Sequence, residues 1–170
     1  AYERIVLLEE PFPEEVKVRV GGFGVRVAAD ESAHSIRDVE ERIALGYGAI
    51  ALKPAAKTFS LTLRMAAATH AAGVPCFCAD LTVSPLLVDW NKSVAARLAP
   101  LPGLELPAFE TNGAQHYARW AELQSFHPRA GASWTLERSG GFDLDESFYA
   151  SGGGILDPVP HSLDLLTRGP

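Results

Sequence analysis

Ala49-Ile50-Ala51-Leu52-Lys53 is a short apolar run that ends in an ionisable side chain, and four other stretches of the chain are built the same way. Ile5 to Leu8 ends at Glu9, Val25 to Ala29 at Asp30, Cys76 to Ala79 at Asp80, and Leu104 to Phe109 at Glu110. Short apolar runs bounded by turn signals read as buried strands. Strands alternating with helical segments over short connections imply βαβ units and a parallel sheet. Polar groups at the carboxyl ends of successive strands are how a β/α barrel gathers a site from distant parts of its sequence. The expected fold class is α/β, a partial (β/α)8 TIM-type barrel of about five parallel strands with crossover helices plus an irregular C-terminal tail.

The intervening segments support this. Ser35-Ile36-Arg37-Asp38 has the serine-then-acid spacing of a helix start, Val39, Ile43 and Ala44 give an apolar stripe, and Gly46 and Gly48 close it. After Lys53, Ser60 is the expected cap, Leu61, Met65, Ala68 and Ala72 share a face, and Gly73 sits where a left-handed C-cap is wanted. Pro85 opens a third helix predicted to run to Leu98, and Ala114 to Leu123 a weaker one. From Phe126 onward Pro128, Gly131, Gly140-Gly141 and Gly152-Gly153-Gly154 break the pattern. The expected organisation is therefore residues 1–125 as a barrel portion and 126–170 as an irregular extension.

Strand alternation predicts which side chains line the barrel. Ala49 and Ala51 lie beneath Lys53, Cys76 and Cys78 beneath Asp80, and Ala108 beneath Glu110, leaving Ile50, Leu52, Phe77 and Phe109 outward. Arg26, under Asp30, would need a partner.

A net charge of −6 and a pI near 5.3, with no basic run, argue against nucleic acid. No apolar stretch approaches the ~20 residues that span a bilayer, and no signal-peptide pattern opens the chain. Cys76 and Cys78 then read as free thiols of a cytoplasmic protein. The start at Ala1, almost directly into a strand, suggests a piece of something longer. The five histidines show no metal-ligand spacing.

Glu9 and Asp30, at equivalent positions of adjacent strands, are candidate ligands for magnesium, which prefers oxygen donors. Glu9-Glu10 and Asp30-Glu31 could equally be solvated acids. Lys53 reads as a base with a lowered pKa, a Schiff-base nucleophile, a carboxylate anchor or a snorkelling surface lysine. Asp80 and Glu110 are either acids of the site or turn devices.

These residues resemble a known family, the muconate-lactonizing and mandelate-racemase-like group of the enolase superfamily. Ile5 to Pro11 resembles its fourth-strand motif, apolar residues then Glu-Glu-Pro or Glu-Gln-Pro, and Ala29-Asp30-Glu31-Ser32 its fifth-strand motif. Ala51-Leu52-Lys53-Pro54 resembles the sixth-strand Ile-Lys-Pro, and Phe148 to Gly153 is similar to the segment returning to a capping domain. The resemblance implies Mg2+ as cofactor, held by Glu9 and Asp30 with Glu31 close by. It implies Lys53 as acid/base, with a pKa depressed towards ~7–8 for that work, and Asp80 and Glu110 as orienting or acid groups. It also implies an isomerase or lyase acting on a small carboxylate such as an acid sugar or dipeptide, by epimerisation, dehydration or cycloisomerisation. Strand seven ends in Asp80 where the mandelate-racemase branch carries histidine, which argues against that branch's dyad. Lys57-Thr58-Phe59-Ser60 stands where Gly-Gly is common. Strands one to three and the capping domain are not found before Ile5. The rival reading is a non-catalytic half-barrel module that self-associates through an unpaired edge. A lysine Schiff-base aldolase is a third.

Overall fold

A computed structural model of the chain describes residues 2–159; residues 160–170 of the expected extension, His161 among them, lie outside the described residues. The chain divides into two compact units, Ala1–Ala79 with Val94–Glu110, and Asp80–Ser93 with Thr111–Pro170.

The first unit is built on four parallel strands, β1 (Leu8–Glu9), β2 (Val27–Ala29), β3 (Ala49–Leu52) and β4 (Cys76–Cys78), hydrogen-bonded in the order β1-β2-β3-β4. Sequential parallel pairing is what strand–helix–strand connections produce. Helix α1 (Ile36–Ala44) joins β2 to β3, and α2 (Phe59–Ala71) joins β3 to β4. Ser35 caps α1 as its sequence predicts, its hydroxyl accepting from the Asp38 amide at 3.3 Å. The α2 cap is Thr58 instead of Ser60. Lys57 N donates back to Lys53 O at 2.9 Å, and this tight turn delivers the chain to the helix early enough for Thr58 to accept from the Leu61 amide at 3.2 Å. Gly46, at φ +94°, brings the chain from α1 into β3. A Cβ there would stand 2.7 Å from Gly21 N, so only glycine fits both the backbone and the space.

The fifth predicted strand shrinks to one parallel bridge, Cys78 with Phe109, with Glu110 N donating to Cys78 O at 2.9 Å. Pro107 has no N–H for a ladder, and the turn closed by Leu104 N on Leu101 O uses residues that would have extended it.

One face of the sheet packs Val27, Ala29, Ile50, Leu52, Cys76 and Cys78 against Val39 and Met65 of α1 and α2. The opposite, interior face carries Ala28, Ala49, Ala51, Phe77 and Ala79, with Leu101. Small residues inward and larger ones outward hold for β2 and β3, but β4 is reversed. Phe77 pairs with Ala51 and therefore shares its inward face, while Cys76 and Cys78 pair with Ile50 and Leu52 and face the helices. Thr69 of α2 comes within 2.7 Å of the Cys76 sulfur. Burial pushes the Cys76 thiol up to about 11 and Cys78 to about 12. Arg26 finds its partner in the Pro102 carbonyl, at 3.3 Å.

Helix α3 (Pro85–Ala95) stops short of the predicted Leu98, and its sequence contributes to both units. The predicted helix after Glu110 forms as two short pieces, α4 (Gly113–His116) and α5 (Trp120–Ser125). A small antiparallel hairpin, β5 (Glu137–Arg138) and β6 (Gly141–Phe142), and α6 (Glu146–Ser151) complete the second unit. Its interior holds ionisable groups. Lys92 Nζ lies 2.5 Å from Asp89 Oδ1 and 2.6 Å from the Trp134 carbonyl oxygen, and sits 3.8 Å above the Phe142 ring. His127 Nε2 approaches Asp89 Oδ2 to 2.9 Å, off the line of a straight hydrogen bond, while His127 Nδ1 accepts from the Arg129 amide at 3.0 Å. Among the described residues no helix is long and apolar enough to cross a membrane.

Candidate active site

The register that defines the interior face also delivers the site. Glu9 pairs with Ala28, and Ala28 with Ala49. Asp30, Lys53 and Glu110 each lie two residues beyond an interior alanine, namely Ala28, Ala51 and Ala108, so alternation aims them from the same face at the carboxyl ends of their strands.

They meet there. Lys53 Nζ is 2.6 Å from Asp30 Oδ2 and 3.6 Å from Glu31 Oε1. Asp30 and Lys53 are largely buried, with side chains 6% and 11% exposed, whereas Glu31 is 57% exposed. Glu9 is close enough to feel Asp30, Glu110, Lys53 and Glu31, and burial first, then Asp30 and Glu110, pushes its carboxyl up to about 7. Burial also raises Asp30, against the pull of its hydrogen bond and charge contact with Lys53. For Lys53, burial alone would lower the ammonium, but Asp30, then Glu31 and Glu9, overcome it and the net direction is up. The direction is opposite to the depressed value expected of a lysine base, because the surrounding acids favour the ammonium form.

Asp80 takes the turn role. Its Oδ1 accepts from the amides of Leu81 at 2.7 Å and Val83 at 3.3 Å, and its Oδ2 from the Asn112 amide at 2.8 Å. By parity with Cys78 it does not continue the interior row of β4; Ala79 does.

The donors suit magnesium in type and fall short in number. Glu9 Oε1 and Asp30 Oδ1 are buried oxygens without a hydrogen-bond partner, the kind of atom a hard cation takes up. They fit in type. In number they do not complete a shell, since among the described residues no three acidic, histidine or cysteine side chains converge to hold a metal ion. Glu31 leans on Lys53, which in turn contacts Asp30.

Two residues at the site carried no sequence signal that singled them out. Lys57, one helical turn past Lys53, donates to the Ala33 carbonyl at 2.6 Å, and its ammonium is lowered by burial and by Lys53, against the pull of Asp30. Glu10 binds the Asp30–Ser32 backbone, a contact that only the fold creates.

The fold and this row of acids and lysine define a β/α-barrel portion with its polar groups at the carboxyl ends of parallel strands. No family model matches the sequence, and no curated protein matches it. Among solved structures, the chain is similar to a mandelate racemase/muconate lactonizing protein from Herpetosiphon aurantiacus, at 24% identity and a TM-score of 0.55, over 66% of this chain and 32% of that one. It is also similar to a protein of the mandelate racemase/muconate lactonizing enzyme type from Sorangium cellulosum, at 28% identity and a TM-score of 0.52, over 62% of this chain and 30% of that one. The resemblance to this group of the enolase superfamily is thus borne out in the fold. The chain spans about a third of the length of the solved structures it matches.

Proposed function

We propose that this chain supplies the lysine and part of the cation-binding acids of an enzyme that removes the proton α to a carboxylate, giving epimerisation, dehydration or cycloisomerisation of a small acid sugar or dipeptide. The observation that carries the reading is the contact of Lys53 with Asp30 at 2.6 Å, beside the partnerless oxygens of Glu9 and Asp30. Glu9 and Asp30 would hold Mg2+, which when bound offsets the negative charge of the substrate carboxylate and the charge that grows there as the proton leaves. The third oxygen ligand is not supplied by the described acids.

Lys53 is the proton-transfer group. Held protonated by Asp30, Glu31 and Glu9, it is set to return a proton to the substrate. It takes one up only in the state in which Asp30 no longer compensates the ammonium. Glu110, at the exposed end of the interior row, orients a polar substituent or a departing group. Asp80, with both oxygens on backbone amides, holds the turn that follows β4.

The test is α-proton exchange in D2O by the whole protein, followed by NMR over a panel of dipeptides and acid sugars with magnesium. Lys53→Ala lowers exchange by about 10²–10⁴-fold, the usual range for a general acid–base group, while the chain keeps its fold by circular dichroism. Undiminished exchange removes lysine from the mechanism. Trapping by borohydride with a carbonyl substrate would favour the aldolase reading instead.

A second reading has its own observation. Among the described residues β1 pairs only with β2, and Leu8 and Ile5 are exposed beside that edge. A non-catalytic module that self-associates through β1 would show a concentration-dependent mass by light scattering.

A further inference from the structure

We propose that Glu10 is a positioning residue, a carboxylate clamp that fixes the Asp30–Ser32 segment and thereby sets where Asp30 meets Lys53. The proposal deepens the reading of Lys53 as the proton-transfer group and rests on it for its functional meaning.

Strand β1 ends at Glu9, and Glu10 N makes a last ladder bond to Ala28 O at 3.0 Å. At Glu10 the backbone turns into the left-handed region, φ +32°, which residues with a side chain rarely adopt. A strained position persists when its surroundings over-determine it, and here the side chain supplies the determination. Glu10 Oε2 accepts from the Asp30 amide at 2.7 Å, from the Ser32 amide at 3.2 Å and from the Ser32 hydroxyl at 2.8 Å. Three donors from one short segment converge on a single oxygen. The other oxygen, Oε1, is buried and has no partner, so the carboxylate's hydrogen bonding is spent on that segment.

Bonds to a charged acceptor are shorter and stronger than neutral ones. The clamp holds the amide of the same residue whose carboxylate contacts Lys53. Fixing Asp30 N fixes the root of that side chain, and Asp30 Oδ2 then stands 2.6 Å from Lys53 Nζ. Glu9 and Glu10 are adjacent in sequence but differ in role: Glu9 continues the interior row, while Glu10 crosses to the end of β2 and holds its loop.

The test compares the wild-type chain with Glu10→Ala and Glu10→Gln. It reads amide hydrogen exchange at Asp30 and Ser32 and the rate of reductive methylation at Lys53, with circular dichroism as the check on folding. In Glu10→Ala the Asp30 and Ser32 amides should exchange on the order of tenfold faster, the size expected when a charge-assisted bond is lost. Lys53 should be methylated several-fold faster. Glu10→Gln, whose amide oxygen still accepts, should keep both close to wild type.

A folded Glu10→Ala with unchanged exchange and methylation overturns the proposal, as does a Glu10→Gln chain as impaired as the alanine variant. If Glu10→Ala does not fold, Ser32→Ala removes the hydroxyl donor alone and should speed Ser32 amide exchange by a smaller factor; no change there also overturns it. Lys53→Ala separates the two ideas. It removes the proposed chemistry while leaving the Asp30 and Ser32 amides protected.

Discussion

Two lysine–aspartate pairs of nearly the same length lie in different units of the chain. Lys53 Nζ stands 2.6 Å from Asp30, and Lys92 Nζ 2.5 Å from Asp89. Their surroundings differ. Lys92 has a backbone carbonyl and an aromatic face to itself, and both side chains of the pair are at most 3% exposed. Burial lowers the Lys92 ammonium in spite of Asp89, whereas Lys53, with Glu31 and Glu9 near it as well as Asp30, is raised. The Lys92 pair is enclosed and serves the packing of its unit. The Lys53 pair has a surplus of acid, with Glu31 and Glu9 beside Asp30, which is the condition of a site that expects a ligand.

The largest expected effect tests the enclosed pair. Asp89→Ala leaves Lys92 buried without its counter-charge and should cost about 3–5 kcal/mol in urea unfolding. Asp30→Ala should cost less, about 1–3 kcal/mol, because the buried Lys53 keeps Glu31 and Glu9 as counter-charges. Equal losses would break the comparison.

Magnesium should sharpen it. With a millimolar Kd, 10 mM magnesium would stabilise the folded chain by roughly 1.4 kcal/mol. Differential scanning calorimetry should show that gain in wild type and not in Glu9→Gln. A gain that survives in Glu9→Gln would place the cation elsewhere.

The smallest effect is a pH dependence. The Glu9 carboxyl, pushed up from 4.5 to about 7 by burial, then Asp30 and Glu110, binds its proton more tightly folded than unfolded. Its contribution is therefore complete below pH 4.5 and is lost as pH rises through about 7. Since Glu9 is half-buried, solvent screening reduces the penalty at pH 8 to about 1 kcal/mol. Glu9→Gln should be more stable than wild type by that amount at pH 8 and equal to it near pH 4.5. Equal stability at both would mean that Glu9 is an ordinary surface acid.

Much of the site was legible because periodicity and strand ends are local properties. Glu9, Asp30, Lys53 and Glu110 each stand at the end of an apolar run, and alternation placed Lys53 above Ala51 and Glu110 above Ala108, two alanines that the structure puts on the interior face. The same rule misplaced Phe77 and the two cysteines, since alternation says which residues share a face but not which face that is. Pairing with β3 made that choice. Residues 104–106 read as strand as part of the run from Leu104 to Phe109, yet Pro107 and the turn behind them left only the bridge at Phe109.

The sequence by itself determined the parallel α/β pattern, the cap of α1 and the row of acids and lysine at the strand ends. These depend on spacing along the chain and on the motifs that carry the family resemblance. Only the tertiary structure decided the clamp from Glu10 to Asp30 and Ser32, the acids that surround Lys53, and the enclosed group of Asp89, Lys92 and His127. Each of those rests on distances between segments far apart in sequence and on how much water is left between them. Neither quantity is written in any local stretch of residues.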